Sequence, residues 1–296
     1  MDHHEPGDNL SHSLTRTWAP LSVDLGSATH QGHVRNKNED SYLVMRFGRS
    51  LERLATNLDE NFLEPNYSLT GHGMLVADGM GGLPAGQVAS RLALSKLIEL
   101  IIDTSDWTLA LKRHRDVKTV MDRMTQRFFQ IDKILKEEAK IDPTLEGMGT
   151  TLTVAGVLGN DLVIGHVGDS RAYLLRGDHF RQLTTDHTMA QALIDAGVAT
   201  SDDPVSRSMR HVLTAAIGSL DNRILPQVQR FRLNACDQLL LCTDGLTEMV
   251  DDEIITGVLR ETKSAQIACQ YLIDLALAAG GSDNITLILA RCSEAP

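Results

Sequence analysis

Aromatic residues make up only 4% of this chain, and cysteine appears four times in 296 residues. Scarce aromatics leave aliphatic side chains to fill the core. Cys236, Cys242, Cys269 and Cys292 show neither paired zinc spacing nor a disulfide framework, so they read as structural thiols of a reducing compartment. Cys236 and Cys242 flank or occupy one apolar run, where free thiols pack as small hydrophobes. No apolar run approaches the ~20 residues of a spanning helix, so no membrane association is expected. Residues 1–10 are polar and acidic and lack an apolar h-region, which predicts no signal peptide and a cytoplasmic protein. Basic residues are thinly spread, net charge is −11 and no basic stripe occurs, which argues against nucleic acid as a partner. Internal repeats and low-complexity tracts are also missing.

What the chain does have is a 42% apolar share, enough for a sizeable core, and four short acidic patches. The patches are Asn38-Glu39-Asp40, Asp78-Gly79-Met80-Gly81-Gly82, Asp244-Gly245 and Asp283-Asn284. The last three sit at the ends of short apolar runs. Strand ends that carry carboxylates are costly to bury unless a cation meets the charge. A fold that gathers them would repel itself unless hard divalent cations filled the cluster.

Residues 1–20, rich in polar residues and carrying His3, His4 and His12, read as a mobile arm. The rest of the chain, 21–296, reads as one domain. Strands are expected over 41–47 and at Met74-Leu75-Val76-Ala77, which delivers Asp78. Polar residues 48–72 look like an inserted loop or partial helix. Apolar spacing predicts a helix over 85–103 and one long helix or helical hairpin over 107–140. Two hairpins follow, 151–157 with 162–167 and 171–175 with 180–183. Residues 187–197 read as a short helix closed by Gly197, and 198–209 as a mobile connection. Leu239-Leu240-Leu241-Cys242 is a strand into Asp244, Ser264 caps a helix running to Gly280, and 285–290 is the last strand. Strand groups joined by hairpins favour antiparallel sheets covered by helices, an α+β class, over a doubly wound parallel sheet.

Each acidic signal is weak alone. Asp-Gly after an apolar strand is most often a turn, and Ser282-Asp283-Asn284 reads equally as an Asx turn. Their joint occurrence with Glu39 and Asp40 points to a metal site. Gly79, Gly81 and Gly82 let backbone approach an ion, which makes the Gly79 carbonyl a candidate ligand beside Asp78. Carboxylate, carbonyl and water ligands suit Mn²⁺ or Mg²⁺; zinc would want His or Cys, and His72, His166, His187 and His211 lack zinc spacing. Two such ions ~4 Å apart activate water and clamp phosphoryl oxygens. The phosphate needs a cation, and Arg35 lies five residues before Asp40. Without the acidic cluster, Arg35 would pass for a surface charge.

Six ordered segments then carry a resemblance: Arg35-Asn36-Lys37-Asn38-Glu39-Asp40-Ser41, Asp78-Gly79-Met80-Gly81-Gly82, Gly147-Met148-Gly149-Thr150-Thr151, Val167-Gly168-Asp169-Ser170-Arg171, Thr243-Asp244-Gly245-Leu246-Thr247 and Ser282-Asp283-Asn284-Ile285-Thr286. Over roughly residues 22–292 the chain closely resembles the bacterial branch of the metal-dependent Ser/Thr protein phosphatases, type 2C. The resemblance implies a four-layer α-β-β-α sandwich with a metal pair at one end, between the sheets. It implies hydrolysis of phosphoserine and phosphothreonine by direct attack of a water bridging two Mn²⁺ or Mg²⁺ ions, without a phosphoenzyme. Asp78 would bridge the ions and the Gly79 carbonyl would bind one. Asp244 and Asp283 would complete the shell of the first ion, and Glu39 or catalytic Asp40 would hold the second ion, directly or through water. Asp169 would support a third, weaker ion, and Arg35 would bind substrate phosphate. The implied partners are phosphorylated proteins and an opposing Ser/Thr kinase, the implied state a monomer.

Some positions depart from the pattern. Animal-type members carry His where this chain has Met80, proposed there as general acid, and no acid is assigned here. Ala215 stands where Arg is common. The flap of the family corresponds to about 197–210, with Arg207 and Arg210 placed to meet phosphopeptides. Two other readings remain open: a catalytically dead binding module, which the intact Asp78, Asp244 and Asp283 disfavour, and a phosphatase for a small metabolite.

Overall fold

The structure, a computed structural model, describes residues 21–52, 54–55, 66–82, 84–103, 114–219 and 223–294. The arm expected over 1–20 lies outside them, as do 56–65 of the expected insert and 107–113 of the expected long helix.

Runs such as Leu239-Leu240-Leu241-Cys242 lack polar alternation because both faces of their strands are buried. One antiparallel sheet holds, in spatial order, β1 (Leu21–His30), β12 (Ile285–Glu294), β11 (Gln238–Cys242), β8 (Arg171–Arg176) and β9 (His179–Gln182). The other holds β10 (Gln227–Arg232), β7 (Asp161–Val167), β6 (Leu152–Leu158), β3 (Asn66–Ala77) and β2 (Ser41–Glu52). A two-stranded ribbon joins β4 (Gly79–Met80) to β5 (Gly149–Thr150).

Met74 and Val76 of β3 face Leu239, Leu241 and Ile288 between the sheets. Their neighbours Leu75 and Ala77 face outward, onto α1 (Ala85–Ile102) and α2 (His114–Ile141). In β11 the same alternation sends Leu240 and Cys242 toward α6 (Asp252–Glu261) and α7 (Ala265–Ala278). Three apolar layers therefore separate four structural layers, and the fold is the α-β-β-α sandwich. Between β9 and β10 lie two short helices, α3 (Met189–Asp195) and α4 (Pro204–Met209); α5 (Asp244–Thr247) is a single turn after β11. Among the described residues no helix is long and apolar enough to cross a membrane. Cys242, Cys269 and Cys292 are buried and Cys236 is exposed, all as free thiols.

Local chemistry sets the ends. Thr188 caps α3 by accepting from the Gln191 N–H at 3.2 Å, and Gly197 beyond it takes the left-handed conformation at φ +67°. Ser264 caps α7, accepting from the Ile267 N–H. The helix lies close on β1 because Gly26 has no side chain. A Cβ there would sit 2.3 Å from the Ala265 carbonyl carbon and 2.4 Å from the Gln266 nitrogen. These are backbone atoms of a packed helix and cannot step aside. Gly26→Ala is expected to destabilise the fold by about 3 kcal/mol, read as a lowered urea midpoint with an unchanged slope. An unchanged midpoint would show that α7 can lift off the sheet freely.

Within the expected loop or partial helix over 48–72, residues 48–52 and 66–72 are instead paired strand. β2 continues to Glu52 and β3 begins at Asn66, with Glu52 paired to Asn66. Tyr67 and Leu69 alternate with Asn66, Ser68 and Thr70, a strand period that the polar surroundings mask. Within the expected mobile connection, Pro204 opens α4 after Asp203, whose carboxylate accepts from the Thr200 N–H at 2.6 Å. Strand β10 and helix α6 have no counterpart in the sequence reading.

Candidate metal centre

The acidic patches meet because every one of them lies at the same end of the sandwich. Ser41 opens β2 opposite Ala77, the last residue of β3, so Glu39 and Asp40 enter beside Asp78. Cys242 pairs with Arg171 on one side and Leu287 on the other, which brings Asp244 next to the Asp169 turn and to Asp283. A cleft of about 850 Å³ is lined by Arg35, Glu39, Asp78, Gly79, Asp169, Asp244 and Asp283 together. Asp40 sits behind this rim, where its Oδ2 accepts from the Thr243 hydroxyl at 2.9 Å.

Beneath the carboxylates runs a layer of buried hydroxyls that the sequence reading quoted only as motif letters. The Asp78 N–H donates to Thr151 Oγ1 at 2.9 Å, and Thr151 Oγ1 is hydrogen-bonded to Ser170 Oγ at 2.7 Å. The Asp78 carbonyl accepts from the Thr150 hydroxyl at 2.8 Å and the Thr151 N–H at 2.9 Å. Thr243 Oγ1 accepts from the Thr286 N–H at 3.0 Å, which locks β11 to β12 under the site. Asn284 fastens the loop of residues 31–39: its amide donates to the carbonyls of Gln31 (2.8 Å) and Lys37 (2.9 Å) and its oxygen accepts from the Glu39 N–H at 2.8 Å. Gly79 must be glycine, since a Cβ would lie 2.1 Å from the Gly86 carbonyl oxygen.

The electrostatics follow from crowding. Burial, and then the charges of Asp40, Asp244, Asp169 and Asp283, push the Asp78 carboxyl well above its ordinary value. Asp169 is raised well above it by burial and by Asp244. Burial raises Asp40 to about 7 against the lowering hydrogen bonds of Thr286 and Thr243. Asp244 is raised to about 6 by burial, Glu248 and Asp283. Burial also raises Glu39. Arg35 is an exposed cation of the cleft, its Nη2 donating to Asp283 Oδ2 at 2.6 Å.

Two buried oxygens, Asp40 Oδ1 and Asp244 Oδ1, have no hydrogen-bond partner. Orphaned buried carboxylate oxygens are rare and costly unless a cation or water meets them. Oxygen-only donors, several anionic and one a glycine carbonyl, fit Mn²⁺ or Mg²⁺ better than zinc.

The sequence reading missed further residues of the cleft. His211 and Glu248 line it, with His211 Nδ1 2.7 Å from Glu248 Oε1. Neither lies in a recognisable motif; only their side-chain types hint at a role. Met80 also lines the cleft, whereas His166 is buried against Thr153 and His187 accepts from the Gly168 N–H, both structural. Ala215 is buried in the core under α1 and α2. In the flap, Arg207 donates to the Asp202 carbonyl at 2.9 Å, and Val198, Val205 and Met209 are exposed.

The family model described as protein phosphatase 2C matches residues 66–275. The chain is 36% identical over 217 residues to the serine/threonine protein phosphatase PstP of Mycobacterium tuberculosis, covering 73% of this chain and only 40% of that protein. It is 32% identical over 268 residues to the serine/threonine phosphatase Stp of Listeria innocua, covering 89% of this chain and 93% of that one. The crystal structure of the PstP catalytic domain in complex with two manganese ions superposes with a TM-score of 0.67 at 31% identity, covering 92% of this chain and 99% of that one. The motif order, the sandwich and these relatives agree, and the chain belongs to the bacterial branch of the protein phosphatase 2C family of serine/threonine phosphatases.

Proposed function

We propose that residues 21–296 form a metal-dependent phosphatase domain that hydrolyses phosphoserine and phosphothreonine in proteins. The observation that carries this reading is the convergence of Glu39, Asp40, Asp78, Asp169, Asp244 and Asp283 from five chain segments at one cleft, with orphaned oxygens on Asp40 and Asp244. Asp78, the Gly79 carbonyl, Asp244 and Asp283 would hold one ion. Asp78 with Glu39 or Asp40 would hold the second, and Asp169 would support a weaker third. Once bound, a Mn²⁺ or Mg²⁺ pair supplies neutralising charge and an activated water. Around it the chain orients the phosphate with Arg35, fixes Asp78 through Thr150 and Thr151, and anchors the Arg35 loop through Asn284. A cognate Ser/Thr kinase as the opposing enzyme, a monomeric state and a cytoplasmic setting complete the proposal. The flap over 197–210 would select substrates.

Arg35 is 57% exposed and reaches the cleft, so its guanidinium can move from Asp283 to a phosphoryl group. Arg35→Ala is expected to raise KM for a phosphothreonine peptide by roughly 10-fold, with a smaller change in kcat, as loss of a ground-state contact. A selective fall in kcat moves its role to the transition state. The substrate class is tested by comparing kcat/KM for phosphothreonine peptides and small phosphorylated metabolites under Mn²⁺. Peptides turned over far better support a protein phosphatase; the reverse order overturns it.

A further inference from the structure

Expelling a seryl or threonyl alkoxide at neutral pH is slow unless the leaving oxygen receives a proton, and a well-placed donor contributes about 10²–10⁴-fold. Met80 at the cleft offers none. Among the described side chains lining the cleft, the carboxylates of the metal centre would be committed to cations and Arg35 to the substrate phosphate. His211 is the imidazole that remains, and imidazole is the side chain suited to proton transfer near neutrality.

From this geometry we infer that His211 is the proton donor to the leaving group, with Glu248 as its positioning residue. The inference rests on the phosphatase reading above. His211 directly follows the flap, and Glu248 lies four residues beyond Asp244, so the pair links the end of the flap to the metal centre. Ligand atoms of His211, Asp244 and Glu248 lie within 4.8 Å of one another, which places the ring beside the candidate metal centre. His211 Nδ1 lies 2.7 Å from Glu248 Oε1, a charge-pairing distance that holds the ring against the carboxylate when the ring is protonated. The charged groups facing the ring are Glu248 and Asp244 on one side and Arg210 on the other. Arg210 Nε donates to Nε2 at 3.1 Å, so Arg210, which is 56% exposed, must leave this contact before Nε2 can carry a proton.

The step balances. The water oxygen forms the new P–O bond, and the ester P–O bond breaks with its electron pair on the seryl or threonyl oxygen. That oxygen takes the proton from Nε2, and the proton released by the attacking water reloads the imidazole through solvent. Ester and water become alcohol and phosphate.

The test is the dependence of rate on leaving-group basicity, measured on Mn²⁺-loaded protein with a phosphothreonine peptide and with p-nitrophenyl phosphate, whose phenolate leaves without a proton. His211→Gln is expected to lower kcat on the peptide about 100-fold and on p-nitrophenyl phosphate less than threefold. Glu248→Gln should show the same selectivity at about 10-fold. The ratio is taken within each variant, so any unfolded fraction cancels. Equal losses on both substrates overturn the assignment, as does loss of a bound Mn²⁺ per chain in His211→Gln, which would make the cluster an ion site. Failure of the wild type to hydrolyse either substrate would instead sink the phosphatase reading itself.

Discussion

Asp244→Asn and Asp78→Asn are each expected to lower turnover of a phosphothreonine peptide by roughly 10³-fold or more while leaving the fold intact. A metal pair supplies several kcal/mol of charge stabilisation to a phosphoryl transition state, and ~4 kcal/mol corresponds to about 10³ in rate. The fold survives because the substitution keeps the side-chain shape and removes a charge from a self-repelling cluster. Asp78 and Asp244 are both held above their ordinary carboxylate range by burial and by their acidic neighbours. Without metal, the thermal midpoint of each variant should therefore match or exceed that of the wild type. The readouts are phosphate release and a thermal melt in EDTA. Near-normal turnover in either variant refutes its assignment as a ligand.

The second large effect is on stability, and it depends on both pH and metal. Asp78 and Asp169 are raised well above the ordinary value, Asp40 to about 7 and Asp244 to about 6. Each therefore binds its proton more tightly folded than unfolded, where carboxyls titrate near ~3.9. The stabilising contribution of each is complete below about pH 4 and is lost as pH rises through its folded value, about 6 for Asp244 and about 7 for Asp40. Metal acts in the opposite direction, because its ligands must be deprotonated before it binds. The difference in Tm between Mn²⁺ and EDTA should thus be small at pH 5 and reach on the order of 10 °C above pH 7, as expected for ion present at ~1,000-fold over Kd. A difference that is flat with pH would contradict the buried-carboxylate account.

Much of this site could be read in the primary structure because it is built from strand ends. An apolar run that stops at Asp78 or Asp244 reports both a strand and a charge placed at its end, and the structure brings those ends to one cleft. The central strands were legible for a related reason: burial on both faces leaves Met74 to Ala77 and Leu239 to Cys242 as unbroken apolar runs. Edge elements were harder. In β10, Gln227, Gln229, Arg230 and Arg232 leave only Val228 and Phe231 as apolar signals, and its pairing with β7 is long-range. The distal β2–β3 pairing was hidden by the polar residues around it, because its register joins residues of two separate segments. Helix α6 starts on Asp252 and Glu253, so its apolar stripe of Ile255, Val258 and Leu259 is short. The hydroxyl layer of Thr150, Thr151, Ser170, Thr243 and Thr286 was visible as letters but not as a layer, because its bonds join different strands. His211 and Glu248 escaped for the same reason: nothing local marks a bond between residues 37 positions apart.

The most direct measurement is phosphate release from a phosphothreonine peptide with Mn²⁺, after EDTA, and after Mn²⁺ is restored. The account predicts turnover that vanishes with the chelator and returns with the ion. Turnover that persists in EDTA, or a protein that binds Mn²⁺ yet releases no phosphate from any of several peptides, would contradict it.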